Sequence, residues 1–182
     1  TKGKLYNWFA VMGIHDNDEN TPNKELAPEG WHVPTDAEWT TLENYLIANG
    51  YNYDGTTTEN KIAKAMASTT GWDSDATTGV PGNNQSTNNS SGFNAIPIGT
   101  RYAGGANFSS ENNLVVFWSV TPSYDVYSWF FTFSKGDFET YIYGGNFKTQ
   151  GMSVRFLRDA SDDGAFDIFL NGTVSAENNQ IK

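Results

Sequence analysis

The chain of 182 residues has no cysteine, so a disulfide framework, a thiol nucleophile and a Cys-ligated metal are all excluded. It is also short of positive charge: 11 Lys and Arg stand against 21 Asp and Glu, a formal net charge of −10. Such a surface repels phosphates over the whole approach. That argues against nucleic acid or an anionic membrane as partner and leaves neutral glycans, proteins and cations. Histidine is nearly missing. With only His15 and His32, no pair has metal-ligand spacing, and a catalytic triad would have to recruit one of them. His32, between Trp31 and Val33, reads as a hydrogen-bonded structural imidazole, and His15, at the start of a polar loop, as a solvated one. No apolar run approaches the roughly 18 residues that a membrane-crossing helix needs, so no membrane insertion is expected.

Aromatic side chains are plentiful, 15% of the residues, enough to give one domain a core of large rings. The densest signal is Ala27 to Trp39. Pro28 and Gly30 suit a turn, Trp31 and Val33 are apolar anchors, and Pro34 keeps the chain extended up to Thr35. Thr35 and Glu38 have capping-box spacing. The helix that follows is expected to run to Ala48, burying Trp39, Leu42, Tyr45 and Leu46, with Asn49-Gly50 as its stop. A second helix is predicted over Thr58 to Ser68, with Ile62, Ala63 and Met66 as its apolar stripe. Residues 4 to 12 read as a short strand or a helical turn. The Gly/Asn/Ser/Thr-rich segment Thr69 to Ser91 is longer than an ordinary connection and marks a functional or partly disordered loop.

The C-terminal half predicts antiparallel sheet. Tyr127, Trp129, Phe131 and Phe133 alternate with Ser128, Phe130 and Thr132 and should form the buried face; Ser134-Lys135-Gly136-Asp137 turns the chain into a strand over Phe138 to Tyr143. Leu114 to Val120 and Met152 to Arg158 complete the set. Two helices followed by a small sheet is an α+β order.

Five ordered blocks carry a resemblance: Gly3-Lys4-Leu5-Tyr6-Asn7-Trp8, the Ala27–Trp39 run, Ser91-Gly92-Phe93-Asn94-Ala95-Ile96-Pro97, Phe117-Trp118-Ser119, and Ser153-Val154-Arg155-Phe156-Leu157-Arg158-Asp159. Together, over Gly3 to Asp159, the chain resembles the Fibrobacter succinogenes major paralogous domain. The resemblance implies a C-type-lectin-like fold related to the formylglycine-generating-enzyme group: two helices packed on a small, mainly antiparallel twisted sheet with long irregular loops. It also implies a module of a secreted or surface protein in Bacteroidetes and Fibrobacteres, extracellular or at the cell surface. The division is then a domain over residues 1–159 and an extension over 160–182. The cysteines on which formylglycine-generating chemistry depends are absent, so that activity is excluded.

The remaining chemistry lies in loops and rings. Asp16, Asp18 and Asn20 place oxygens at alternating positions of a polar loop, a candidate for a structural calcium ion, although the glycine and distal glutamate of an EF-hand are missing. Asp159, Asp162, Asp163 and Asp167 form a second acidic cluster, and neither the Glu-Pro-Asn nor the Trp-Asn-Asp signature of calcium-bridged sugar binding occurs. Tyr141 and Tyr143, expected to be exposed beside Glu139, join Tyr124, Asp125 and Asn146 as candidate ligand-binding residues, since amphipathic rings serve both sugar stacking and protein contact. Arg155 is expected to anchor a buried ion pair or carbonyl contact within an apolar strand. Polysaccharide cleavage by Glu29, Asp36, Glu38 or Glu43 is the weakest reading, because the cap absorbs Glu38 and the helix dipole absorbs Asp36. The expectation is a non-catalytic recognition or adhesion module that binds a glycan or a surface protein. The alternative is a subunit of a surface fibre, self-assembling by adding its C-terminal extension, with the alternating Phe166, Ile168 and Leu170, to a neighbour's sheet edge.

Overall fold

The computed structural model describes residues 3–14, 22, 24, 26–105 and 107–160. The calcium candidates Asp16, Asp18 and Asn20, His15, and the extension from residue 161 on lie outside the described residues.

The fold is a mixture of helix and small antiparallel sheets. The N-terminal segment is a bridge and a helical turn in succession: Tyr6 pairs with Met152, and helix α1 (Trp8–Val11) follows, its first turn capped by Asn7 Oδ1, which accepts from Ala10 N at 2.8 Å. A short strand β1 (Trp31–His32) leads into helix α2 (Asp36–Ala48). The capping box is formed as expected, with Glu38 N donating to Thr35 Oγ1 at 3.2 Å and Thr35 N to Glu38 Oε2 at 2.8 Å. Trp39, Leu42 and Leu46 are buried, but Tyr45 is 55% exposed. It stands roughly 90° around the helix axis from the centre of that stripe, beyond the reach of the sheet below.

The second helix is much shorter than the periodicity predicts. Helix α3 spans only Ala63–Met66. Its N-terminal half is pre-empted by Asn52, whose Oδ1 accepts from Lys61 N at 2.9 Å and whose Nδ2 donates to the Thr58 and Glu59 carbonyls. Glu59 takes a φ of 61°, which helix continuation forbids. At its other end the chain turns extended at Ala67, which bridges Ala95. Even so, Ile62, Ala63 and Met66 are the fully buried residues that the stripe required.

Thr69 to Ser91 is irregular yet knitted into the molecule. Trp72 stacks on Phe133 with ring centroids 5.6 Å apart. Asn88 is 6% exposed, and its Nδ2 donates to the Ser68 and Pro81 carbonyls. The loop's buried polar groups are satisfied internally, and it caps part of the core while others of its residues stay exposed. The Asn88 side chain is accordingly committed to structure.

Strands β2 (Thr100–Arg101) and β3 (Phe108–Ser109) form a small antiparallel pair. The main sheet has three antiparallel strands, β4 (Leu114–Tyr124), β5 (Tyr127–Ser134) and β6 (Tyr141–Phe147), in that spatial order. One face carries Val115, Phe117, Phe131 and Phe133 against α2 and α3, with Trp39 stacked on Phe131 at 4.5 Å. The other carries Val116 and Trp118 against Trp8, Val11, Val33 and Met152. Burial on both faces explains why Val115 to Trp118 is continuously apolar. It also corrects the expected alternation: Ser128 and Thr132 are buried, while Tyr127 and Trp129 are only half-buried.

The turn at Ser134–Asp137 forms, with Ser134 N donating to Asp137 Oδ2 at 2.7 Å. Strand β6, however, starts later than Phe138. Phe138 O instead accepts from Ala63 N at 3.0 Å, and Thr140 is engaged with Glu43 and Asn60. The strand then continues through Gly144. A Cβ there would lie 2.6 Å from the Trp129 ring, so the glycine admits the indole and does not break the strand. Met152 to Arg158 is likewise no single strand: bridges at residues 151–153 are followed by β7 (Leu157–Arg158), which pairs with β1.

Candidate recognition surface

Exposed aromatic residues gather on β6 and at the turn joining β4 to β5. Tyr141 and Tyr143, two residues apart on β6, lie on the same side of the strand with rings nearly parallel, 5.5 Å between centroids and 10° between planes. Tyr143 is 50% exposed and its ring packs against that of Phe130, tilted, with centroids 5.8 Å apart, which fixes the pair on the sheet. Burial, then the charges of Asp137 and Glu139, raise the Tyr141 pKa, so that its phenol keeps its donor O–H. A half-exposed, pre-stacked pair presents ring area with little rotamer entropy left to lose on binding.

Of the other three candidates, Tyr124 and Asp125 fall elsewhere. Tyr124, 72% exposed, is paired in register with Tyr127, and Tyr127 with Phe147, whose rings are 4.8 Å apart. Between Ser128 and Trp129 the β5–β6 register shifts, Ser128 facing Asn146 and Trp129 facing Gly144. The extra residue, Gly145, reverses which side the following residues occupy. Asn146, opposite Ser128, thereby stays on the face of Tyr141 and Tyr143, whereas Phe147, its partner Tyr127, and Tyr124 opposite Tyr127 lie on the other face. The five expected residues make two clusters. Asp125 sits in the turn, where its carbonyl accepts from Lys148 Nζ at 3.0 Å. The Lys148 ammonium lies 4.5 Å from the Trp8 ring centroid, tying the turn to α1.

The helix acids that could have done chemistry, Asp36, Glu38 and Glu43, are each engaged. His32 is held between two carboxylates, Nδ1 at 2.6 Å from Asp159 and Nε2 at 2.9 Å from Glu38. Burial opposes its protonation, but the hydrogen bonds to Asp159 and Glu38 and their charges outweigh it and raise its pKa above the ordinary 6.5. Asp36 Oδ1 accepts from Thr121 Oγ1 at 2.7 Å. Glu43 is the one acid of α2 that burial pushes above its usual range, against the lowering effect of hydrogen bonds from Thr140 and Asn60. It lies two helical turns, or about 10 Å, from Asp36 along the axis. Its partners Asn60 and Thr140 are distant in sequence, so spacing gave no sign of this cluster. Arg155 makes the expected carbonyl contact from an irregular segment: its Nη2 donates to Phe93 O at 3.0 Å and Asn94 O at 3.1 Å.

Among the described residues no helix is long and apolar enough to cross a membrane. The family model of the Fibrobacter succinogenes major domain matches residues 1–158 of the chain. No curated protein and no solved structure matches it.

Proposed function

The chain belongs to the Fibrobacter succinogenes major domain family, and on that premise we propose that it is a non-catalytic recognition or adhesion module of a bacterial surface or secreted protein, binding a glycan on the Tyr141–Tyr143 face. The observation that carries this reading is the parallel ring pair on β6, in which Tyr143 is exposed and Tyr141 is partly buried. Sugars present apolar C–H faces to such rings and hydroxyls to polar groups around them. A C-type-lectin-like arrangement goes with this reading. It is supported by α2 packed on the antiparallel sheet, by the irregular loops, and by the meeting of N-terminal and C-terminal segments at Tyr6–Met152 and Trp31–Arg158. The engagement of His32, Asp36 and Glu38 in structural hydrogen bonds supports a binding role over an enzymatic one.

A glycan array probed with the full chain, followed by calorimetry on the best ligand, tests the reading. Tyr143→Ala should weaken binding about tenfold, equivalent to about 1.4 kcal/mol. A folded chain that binds nothing on the array would overturn it. One observation favours the fibre reading in second place: β6 is an edge strand of the three-stranded sheet among the described residues, a site where a neighbour's strand could add. Deleting the chain after Asp159 should then reduce the oligomer size in light scattering.

A further inference from the structure

A cavity of about 440 Å³ opens between the N-terminal segment and the run Ser153–Phe156. In a chain with 21 acidic and 11 basic residues, its walls hold two cations, Lys4 and Arg155, and, among the described residues, no carboxylate. The rest of the lining is chiefly apolar, with Ile96, Ile98 and Phe156 prominent.

Arg155 is the unusual member. Its guanidinium lies 4.8 Å from the Phe93 ring centroid and 5.5 Å from that of Phe117. Both of its hydrogen bonds leave from Nη2, to backbone carbonyls, so among the described residues Nη1 and Nε have no acceptor and the charge has no counter-ion. Burial accordingly lowers its pKa. A desolvated guanidinium normally finds a carboxylate, because its planar fork matches two oxygens at once.

We infer that this cavity is a binding site for a carboxylate carried on an apolar body, with the free edge of Arg155 donating to the carboxylate oxygens and the Ile96, Ile98 and Phe156 side chains covering the body. Lys4 adds attraction at the mouth. The aliphatic walls disfavour a sugar acid, whose ring hydroxyls would be desolvated there without acceptors. The carboxylate can come from a small organic acid or from an acidic side chain flanked by apolar residues in a peptide.

The full chain is titrated calorimetrically with phenylacetate and its neutral isostere phenylacetamide, and with the peptide N-acetyl-Phe-Asp-Ile-amide and its Asn counterpart. A carboxylate at least about tenfold tighter than its amide is the expected result. Preference confined to the free acid assigns a small-molecule ligand, and preference confined to the peptide assigns a polypeptide; either supports the site. Equal affinity of acid and amide in both pairs, or no binding by any of the four, overturns it. The Arg155 Nε–H signal in an NMR titration should shift with the carboxylates alone. Arg155→Lys, which keeps the charge and loses the fork, should weaken the preferred ligand about tenfold. Should that variant fold poorly, the exposed Lys4→Gln, expected to weaken binding a few-fold, and the Nε–H shift still decide.

Discussion

The two faces of the three-stranded sheet use the same kind of side chain for opposite ends. On the helix face, Phe117, Phe131 and Phe133 are buried beneath Trp39 and Trp72, ring on ring. On the other face, the N-terminal cluster of Trp8, Val11, Val33 and Met152 covers Val116 and Trp118 but stops short of β6, so that Tyr141 and Tyr143 continue the aromatic surface into solvent. Coverage, more than residue type, separates an aromatic that stabilises from one that can recognise. The phenol oxygens of Tyr141 and Tyr143 suit a surface that must also face water.

Trp39→Ala should draw the sharpest line between the faces. Removing the ring stacked on Phe131 at 4.5 Å should destabilise the chain by about 3–5 kcal/mol in urea unfolding. A loss under about 1 kcal/mol would mean that the helix face is not the core. Next comes Gly144→Ala, whose added Cβ would meet the Trp129 ring at 2.6 Å; about 1–3 kcal/mol should be lost by the same measurement. Thr35→Ala removes the cap of α2 and should cost about 1 kcal/mol.

The pH response is smaller. Because the folded His32 pKa is raised above 6.5, the stability it contributes is fully present below that value and is lost as pH rises through the folded pKa. The physical reason is that a neutral imidazole must turn one lone pair toward a carboxylate. Glu38 acts on the acid side: its pKa is lowered below 4.5, burial notwithstanding, by hydrogen bonds from Thr35 and His32, so its contribution is lost as pH falls through the folded value. With the imidazole about a third exposed, screening keeps the His32 effect below about 1 kcal/mol. Urea midpoints measured from pH 6 to pH 9 should fall more for the natural chain than for His32→Gln; parallel profiles would show that the two carboxylates do not hold the imidazolium. Smallest of all, Tyr143→Ala should leave stability within about 0.5 kcal/mol of the natural chain, since its ring already faces solvent.

Local signals in the sequence led to the right elements where the chemistry is local. The Thr35–Glu38 cap, the Trp39/Leu42/Leu46 stripe, the Ser134–Asp137 turn and the family blocks all lie within a few residues of what they determine. The failures have a common cause in long-range contact. Asn52 and the Ala67–Ala95 bridge shorten α3, Ser128 and Thr132 are buried on a face expected to be open, and strand register, with a shift near Ser128, decides that Asn146 joins Tyr141 and Tyr143 while Tyr124 lies on the other face. A bulge leaves no mark in composition. Likewise Thr69 to Ser91 has the composition of a free loop, and only the buried partners of Trp72 and Asn88 reveal it as part of the core.

The central claim is that Tyr141 and Tyr143 form a recognition face separate from the stabilising one. Its most direct test is the affinity of the full chain for its best array glycan, measured by calorimetry beside that of the doubly substituted Tyr141→Ala, Tyr143→Ala chain, with the unfolding midpoint of each as control. The account predicts loss of detectable binding with the midpoint almost unchanged; unchanged binding, or loss of binding only together with loss of the fold, would contradict it.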